Sequence, residues 1–395
     1  MKNKKENRRE FFKKATASAV GLVVAPNLIN ADSKKANEDI KNREIEPIWR
    51  NRSENMQYRM LGRTGMMVSE ITLGTLPLRT PDHFPIFDTS IERGINYFDT
   101  AYAYGRTEVE SNLGAYFKQT GNREKIFLAT KMSPYFTVVD NYIEDIFKGL
   151  PASKQEAIHK KASDMIAERT VKRSGYHMNY FSRQESQFDR GYFRHVMLQE
   201  YGYKKGLKEK IKKSAHNLLE ESLSRLQTDY VDVLHIPHGI AVPEQMDDTI
   251  KELFEEFKQK GLVRASAVSF HNDVAANLIN AINVGFYDVT MFAYNIAIHA
   301  ALEAPLYNAK QSGMGLIAMK LVNLFTRDSN PSWILDKLNT AIPDENMSKF
   351  SKSYVWALQN PNLTCCVSQM ENLDELTDNL TAIGKKVDIE NNFVS

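Results

Sequence analysis

Eight short apolar segments, alternating with segments of helical period, constrain this chain more than any other feature. The segments are 71–74, 97–99, 126–131, 231–236, 263–269, 289–294, 316–319 and 364–368. They are apolar nearly throughout, as expected of parallel strands buried on both faces. Helical patterns run between them at 88–93, 109–119, 211–226, 244–260, 273–284, 299–312, 348–359 and 373–382. Eight strand–helix units predict an α/β fold, a (β/α)8 TIM barrel. A doubly wound sheet is the alternative. It would place a glycine-rich phosphate turn after its first strand, and Gly74-Thr75-Leu76-Pro77 is not one. Ahead of the first strand, two apolar runs flank Gly62-Arg63-Thr64-Gly65, the pattern of a β-hairpin. After the third strand come about eighty residues before the next helix, where a βα loop normally takes a few. This insertion, about 134–206, contains charged helical stretches and the aromatic run Tyr176-His177-Met178-Asn179-Tyr180-Phe181. Its base is on the C-terminal side of the barrel. There it reads either as a lid, specificity cap or partner surface, or as surface decoration.

The C-terminal strand ends are where such a fold binds ligands. Asp99 closes one strand, Tyr104 follows in the next loop, and Lys131 closes the neighbouring strand. An unperturbed phenol titrates near pH 10. A nearby ammonium favours the phenolate and draws that value down, and a carboxylate keeps the ammonium charged and oriented. The three residues thus have the makings of a proton-delivery device. Taken singly, Asp99 also reads as a helix cap, Tyr104 as loop packing and Lys131–Asp99 as a structural ion pair.

The surrounding residues carry a resemblance. Gly94-Ile95-Asn96-Tyr97-Phe98-Asp99-Thr100-Ala101 with Tyr104-Gly105 is its most specific part. Leu61-Gly62-Arg63-Thr64-Gly65 before Val68-Ser69, Glu221-Ser222-Leu223 before Leu226-Gln227-Thr228-Asp229-Tyr230-Val231-Asp232, and residues 361–379 extend it. Over most of 57–385 the chain resembles the aldo-keto reductase family. The resemblance implies hydride transfer between NADP or NAD and a small carbonyl substrate. Tyr104 would be the acid/base, Lys131 and Asp99 its tuners, and a histidine would orient the carbonyl. The family places that histidine five residues after the equivalent of Asp232, and Pro237 stands there. His238, just past the strand end, is the expected histidine. His235 shares a facing with Val233 and Pro237 and is expected in the barrel wall or interior.

The same resemblance implies a cofactor-binding set. Gly74, Thr75 and Leu76 would approach the nicotinamide ribose, and Ser269 the carboxamide. Met291 stands where the family often has glutamine, and Phe270 replaces a usual polar partner. Tyr294 and Lys320 belong to the set at other strand ends. Ser368, Gln369, Asp374, Asp378 and Asn379 would hold the adenosine end. Glu375 stands where NADP-preferring members often carry arginine, and a carboxylate there repels a 2′-phosphate. The expected function is NAD(P)-dependent interconversion of a carbonyl, sugar-derived in the first instance, and an alcohol. The altered carboxamide contacts and the insertion leave an alternative: a nucleotide-holding barrel serving as a binding or sensing subunit.

A net charge of +2 over 395 residues gives no global field for nucleic acid. The two cysteines, Cys365 and Cys366, are adjacent, which suits neither a disulfide nor a metal-ligand spacing. At the N-terminus, basic residues precede an apolar run, and Arg8-Arg9-Glu10-Phe11-Phe12-Lys13 resembles the twin-arginine export signal. The expected organisation is a signal over 1–31, a polar linker over 32–55 and the barrel over 56–395. The expected location is periplasmic or otherwise exported. Ile29 is a poor residue two positions before a cut after Ala31, so an uncleaved N-terminus that associates with a membrane stays open.

Overall fold

The computed structural model describes residues 45–387 apart from 134–135, 171–172, 178–183, 203–204, 238–247 and 326–331. The expected signal, residues 32–44 of the linker, and His238 lie outside the described residues. β1 (Tyr58–Met60) and β2 (Met67–Ser69) pair as an antiparallel hairpin. Eight parallel strands then close into a barrel in chain order. They are β3 (Ile71–Gly74), β4 (Tyr97–Asp99), β5 (Phe127–Lys131), β6 (Val231–Ile236), β7 (Val263–Phe270), β8 (Val289–Ala293), β9 (Gly315–Met319) and β10 (Cys365–Gln369). The strand ends fall within one residue of those read from the sequence.

Alternation along each strand divides the apolar residues into two sets. Tyr97, Phe127, Ala129, Val233, Ala265, Val289, Ile317 and Cys365 form one cluster inside the barrel. Phe98, Leu128, Leu234, Val268, Phe292 and Leu316 belong to the cluster shared with the helices outside. Both faces of every strand are therefore dry, and polar inward positions are confined to the ends. The helices are α1 (Phe84–Glu92), α2 (Glu108–Thr120), α3 (Phe136–Lys148), α4 (Ala152–Glu168), α5 (Gln184–Tyr201) and α6 (Lys205–Leu226). They continue with α7 (Asp248–Gln259), α8 (Val274–Val284), α9 (Glu303–Gln311), α10 (Trp333–Ala341), α11 (Lys349–Leu358) and α12 (Leu373–Leu380).

Two of these helices, α5 and α10, have no counterpart in the sequence reading. On α5 the helical period is obscured because charged residues face a neighbour. Arg190 donates to Glu144 at 2.7 Å and Arg194 to Asp140 at 2.9 Å, both on α3. The helix α10 buries only Ile334, Leu338 and Ala341, a stripe too short to register.

The N-terminal end of the barrel is closed by the hairpin. Leu61, Met66 and Val68 join the interior cluster, and Arg63 donates to Asp288 at 2.8 Å. Residues 45–55, the last part of the expected linker, are bound to the same end. Arg50 donates to the Ile126 carbonyl, to Tyr230 at 2.9 Å and to the buried Asp232 at 3.3 Å. Asn96 in turn donates to the Arg50 carbonyl at 2.9 Å.

The hairpin tip depends on Gly62. Its φ is +52°, and a Cβ there would lie 2.2 Å from the Gly315 nitrogen at the start of β9. Gly62→Ala is expected to cost about 3 kcal/mol or more, from left-handed strain plus a backbone collision. Gly121, at φ +68° with nothing within 4 Å, supplies the control. Its alanine variant should cost about 1 kcal/mol, and thermal unfolding of the two variants checks the difference.

Candidate active site

The mouth of the barrel is formed by the last inward position of each strand and by the loops that follow. Gly74 on β3 pairs with Asp99 on β4, and Asp99 with Ala129 on β5. That register leaves Lys131 one inward step above Ala129, so its side chain turns back toward Asp99. Lys131 Nζ donates to both Asp99 oxygens at 2.6 Å and to the Thr100 carbonyl at 2.8 Å. Thr75 fixes the end of β4 from the other side, its hydroxyl and backbone N–H donating to the Asp99 carbonyl at 3.0 and 2.9 Å. Tyr104 sits over this pair, its ring centroid 5.1 Å from Lys131 Nζ.

The electrostatics follow from burial and contact. Burial pushes the Asp99 carboxyl up, against the pull of Lys131. Burial would lower Lys131, but Asp99 and Tyr104 more than offset it and hold the lysine above its ordinary range. Lys131 is therefore an ammonium at neutral pH. For Tyr104, burial is the largest influence and raises the phenol, and Lys131 only partly reverses this. The sequence expectation was a phenol drawn toward neutrality. In the folded chain desolvation wins, and Tyr104 is a protonated donor.

Tyr104, Asp99 and Lys131 line a cavity of about 170 Å3 together with Leu76, Ser269, Met291, Lys320 and Gln369. That volume is comparable to the roughly 150 Å3 known to take a benzene-sized guest. Sequence reasoning did not flag Ser133, Asn323 or Tyr354, which also line it. Tyr354 comes from α11, where nothing distinguishes it from an ordinary core aromatic. Lys320 adopts a left-handed φ of +66°. Burial and then the neighbouring Lys131 lower its pKa.

Several expected residues sit elsewhere. Tyr294 is a correction. It lies one residue past β8, on the outward parity, where its hydroxyl donates to Glu303 at 3.0 Å and accepts from Asn360 at 2.9 Å. Its ring stacks on Trp356 at 5.3 Å, so the side chain belongs to the wall and not to the cavity. Ser368 likewise faces away from the mouth. Its oxygen accepts from Tyr354 at 2.8 Å and from Asn379 at 3.0 Å, which ties β10 to α12. Asp374 is exposed on the first turn of α12, and Asp378 accepts from Ser348. Glu375 accepts from the Glu371 backbone N–H at 2.7 Å and from Asn372 at 3.0 Å, capping the start of that helix.

The expected histidine, His238, lies outside the described residues, and the residues before it are placed as follows. Pro237 lines the cavity. His235 points into the barrel one layer deeper, in register with Lys131 and fully buried. Neither ring nitrogen of His235 has a hydrogen-bond partner among the described residues. Burial, and next the nearby Lys131, push its pKa well down, so the ring is neutral. The imidazole that does line the cavity is His271, in the loop after β7.

A dinucleotide would need polar groups at this mouth that are not already spent. Ser269 Oγ, Lys320 Nζ and the Gln369 amide all face the cavity, and none hydrogen-bonds to another described residue. The donor set therefore fits: a hydroxyl and an amide for a carboxamide or ribose, and a cation for a diphosphate.

Comparison with known proteins gives the arrangement its context. The model of the Aldo/keto reductase family matches residues 70–181 and 201–392, and the break between them takes in all of the insertion helix α5 but its last residue. The uncharacterized oxidoreductase YqkF of Bacillus subtilis is 28% identical over 216 residues, 54% of this chain. The chain spans about half of that relative's length, 49%. L-galactose dehydrogenase of Arabidopsis thaliana is 24% identical over 352 residues, covering 83% of this chain and 88% of its own. Among solved structures, the holo form of aldo-keto reductase AKR11C1 from Bacillus halodurans superposes with a TM-score of 0.54 at 22% identity. It covers 84% of this chain and 92% of its own, a likeness of fold. A family match running through both halves of an eight-stranded barrel, from β3 to beyond α12, leads to one conclusion: this chain belongs to the aldo/keto reductase family.

Proposed function

We propose that the chain reversibly reduces a small carbonyl compound with a nicotinamide cofactor, Tyr104 delivering the proton. The observation that carries this reading is a protonated, half-buried phenol seated on a Lys131–Asp99 pair at the wall of the cavity. Bound at the mouth, the cofactor supplies or accepts the hydride. Tyr104 donates its proton to the oxygen that gains charge as the carbonyl is reduced. Lys131, kept charged by Asp99, stabilises the phenolate left behind. Ser269, Lys320 and Gln369 would hold the cofactor, and the Glu375 carboxylate would disfavour a 2′-phosphate. L-galactose dehydrogenase is named for a sugar, which supports a sugar-derived carbonyl here. Residues 1–31 read as a twin-arginine signal that would deliver the folded chain to the periplasm, with 32–55 as linker and 134–206 as the insertion into the barrel.

Tyr104→Phe should lower the rate of carbonyl reduction by about 100-fold to 10,000-fold, with dinucleotide affinity unchanged in a fluorescence titration. If bound reduced cofactor is oxidised by none of a broad carbonyl panel in stopped-flow, and Tyr104→Phe changes nothing, the enzyme reading gives way to a nucleotide-holding subunit.

The direction of the Tyr104 shift fixes a pH dependence. Reduction uses the protonated phenol, so its rate should hold through the ordinary phenol range near pH 10. Oxidation of the alcohol needs the phenolate and should rise over the same range. Rates in both directions, measured against pH, test the sign.

NAD should bind more tightly than NADP, and Glu375→Arg should reverse or abolish that preference, read as the ratio of the two dissociation constants.

A further inference from the structure

The insertion after β5 reaches the loop after β7 and converges on one carboxylate. Asp273 follows β7 and precedes α8, and it is buried. Its Oδ1 accepts from the Tyr176 hydroxyl at 2.6 Å, and its Oδ2 from the Tyr192 hydroxyl at 2.9 Å. Arg169, at the end of α4, lies 2.6 Å from Oδ2. Tyr192 is on α5, and Tyr176 is in the turn between the two helices. All three donors thus come from the insertion, and the acceptor from a barrel loop. Burial pushes both phenols up, so each stays an O–H donor.

The same turn touches a second loop. A Cβ on Gly175, which has φ +73°, would lie 3.3 Å from the Ala300 side chain in the segment after β8. One piece of chain therefore bonds to the loop after β7 and lies close to the segment after β8. The end of β7 carries Ser269, and the loop after it His271, into the cavity just upstream of Asp273. Asp273 itself adopts a left-handed φ of +45°, an unfavourable backbone for a residue other than glycine. Asn277 donates to the Asn272 and Asp273 carbonyls, each at 3.1 Å, fixing that turn from the α8 side.

We propose that the insertion is a clamp on the cofactor-facing rim, with Asp273 as its positioning residue: it holds the end of β7 at Ser269 and the loop that begins at His271 in the shape that the nicotinamide end of the dinucleotide requires. The proposal rests on the nicotinamide reading above. It gives the insertion a task that neither a substrate lid nor surface decoration would have. The Arg169, Tyr176 and Tyr192 contacts act through Asp273 on the loop, and none of these three residues lines the cavity.

The test uses the full chain. Tyr176→Phe with Tyr192→Phe removes two donors and leaves the Arg169–Asp273 pair to keep the carboxylate satisfied. Lys161→Ala, on an exposed ion pair of the same insertion, is the control. The double variant should bind NAD about tenfold more weakly and show faster hydrogen exchange over 269–277. At saturating cofactor its kcat should stay within about twofold of the unaltered chain, so that KM for the cofactor moves and kcat does not. An unchanged dissociation constant in a folded double variant overturns the clamp, even if its Tm falls. Binding of neither NAD nor NADP by the unaltered chain overturns the nicotinamide reading and the clamp with it, so the two failures are told apart.

Discussion

The ion pair between Lys131 and Asp99 is the interaction on which the mouth of this barrel depends. Two buried charges are costly unless each is fully matched, and removing one partner typically costs about 3–5 kcal/mol. Here the match is supplied by backbone. The register of β3, β4 and β5 sets the two side chains one step apart, and the Thr100 carbonyl takes a further donor from the ammonium. The barrel below is packed mainly with apolar side chains, and neither the Tyr97 hydroxyl nor the His235 ring there bonds to the pair. The ammonium of the pair faces the Tyr104 ring, and desolvation keeps the Tyr104 proton in place. Neither group would behave this way in water.

Much of this was legible in the sequence, for a definite reason. Strands buried on both faces leave apolar runs that no solvent-facing element would carry, so all eight could be bounded to about a residue. Asp99, Tyr104 and Lys131 were legible because they break those runs at their ends. What misled was parity. Tyr294 and Ser368 each lie near a strand end, as a cofactor contact should, but one position decides whether a side chain meets the cavity or the helices. Tyr294 falls just beyond β8 and Ser368 on the outward side of β10. Tyr354 and Asn323 reach the cavity from a helix and a long loop, where no local pattern marks them. The direction of the Tyr104 shift was not legible either, since it depends on how dry the loop becomes. Arg190 and Arg194 hid a whole helix because their partners lie on another helix of the same insertion.

The cavity differs from the pattern its family suggests in the groups that meet the carbonyl. Pro237 lines the cavity at the family's histidine spacing, and His235, two residues before it, is turned into the barrel, neutral and without a described partner. A second lysine, Lys320, faces the same space as the Lys131–Asp99 pair. The described walls thus combine two lysines and one carboxylate with the polar groups of Ser269, His271, Asn323 and Gln369.

Arg50 has a consequence for orientation. It is bolted to Asp232 and to the Ile126 carbonyl, at the pole where the hairpin closes the barrel. Residues 45–49, the first that the structure describes, therefore enter the molecule at that sealed pole, a full strand length from the open one.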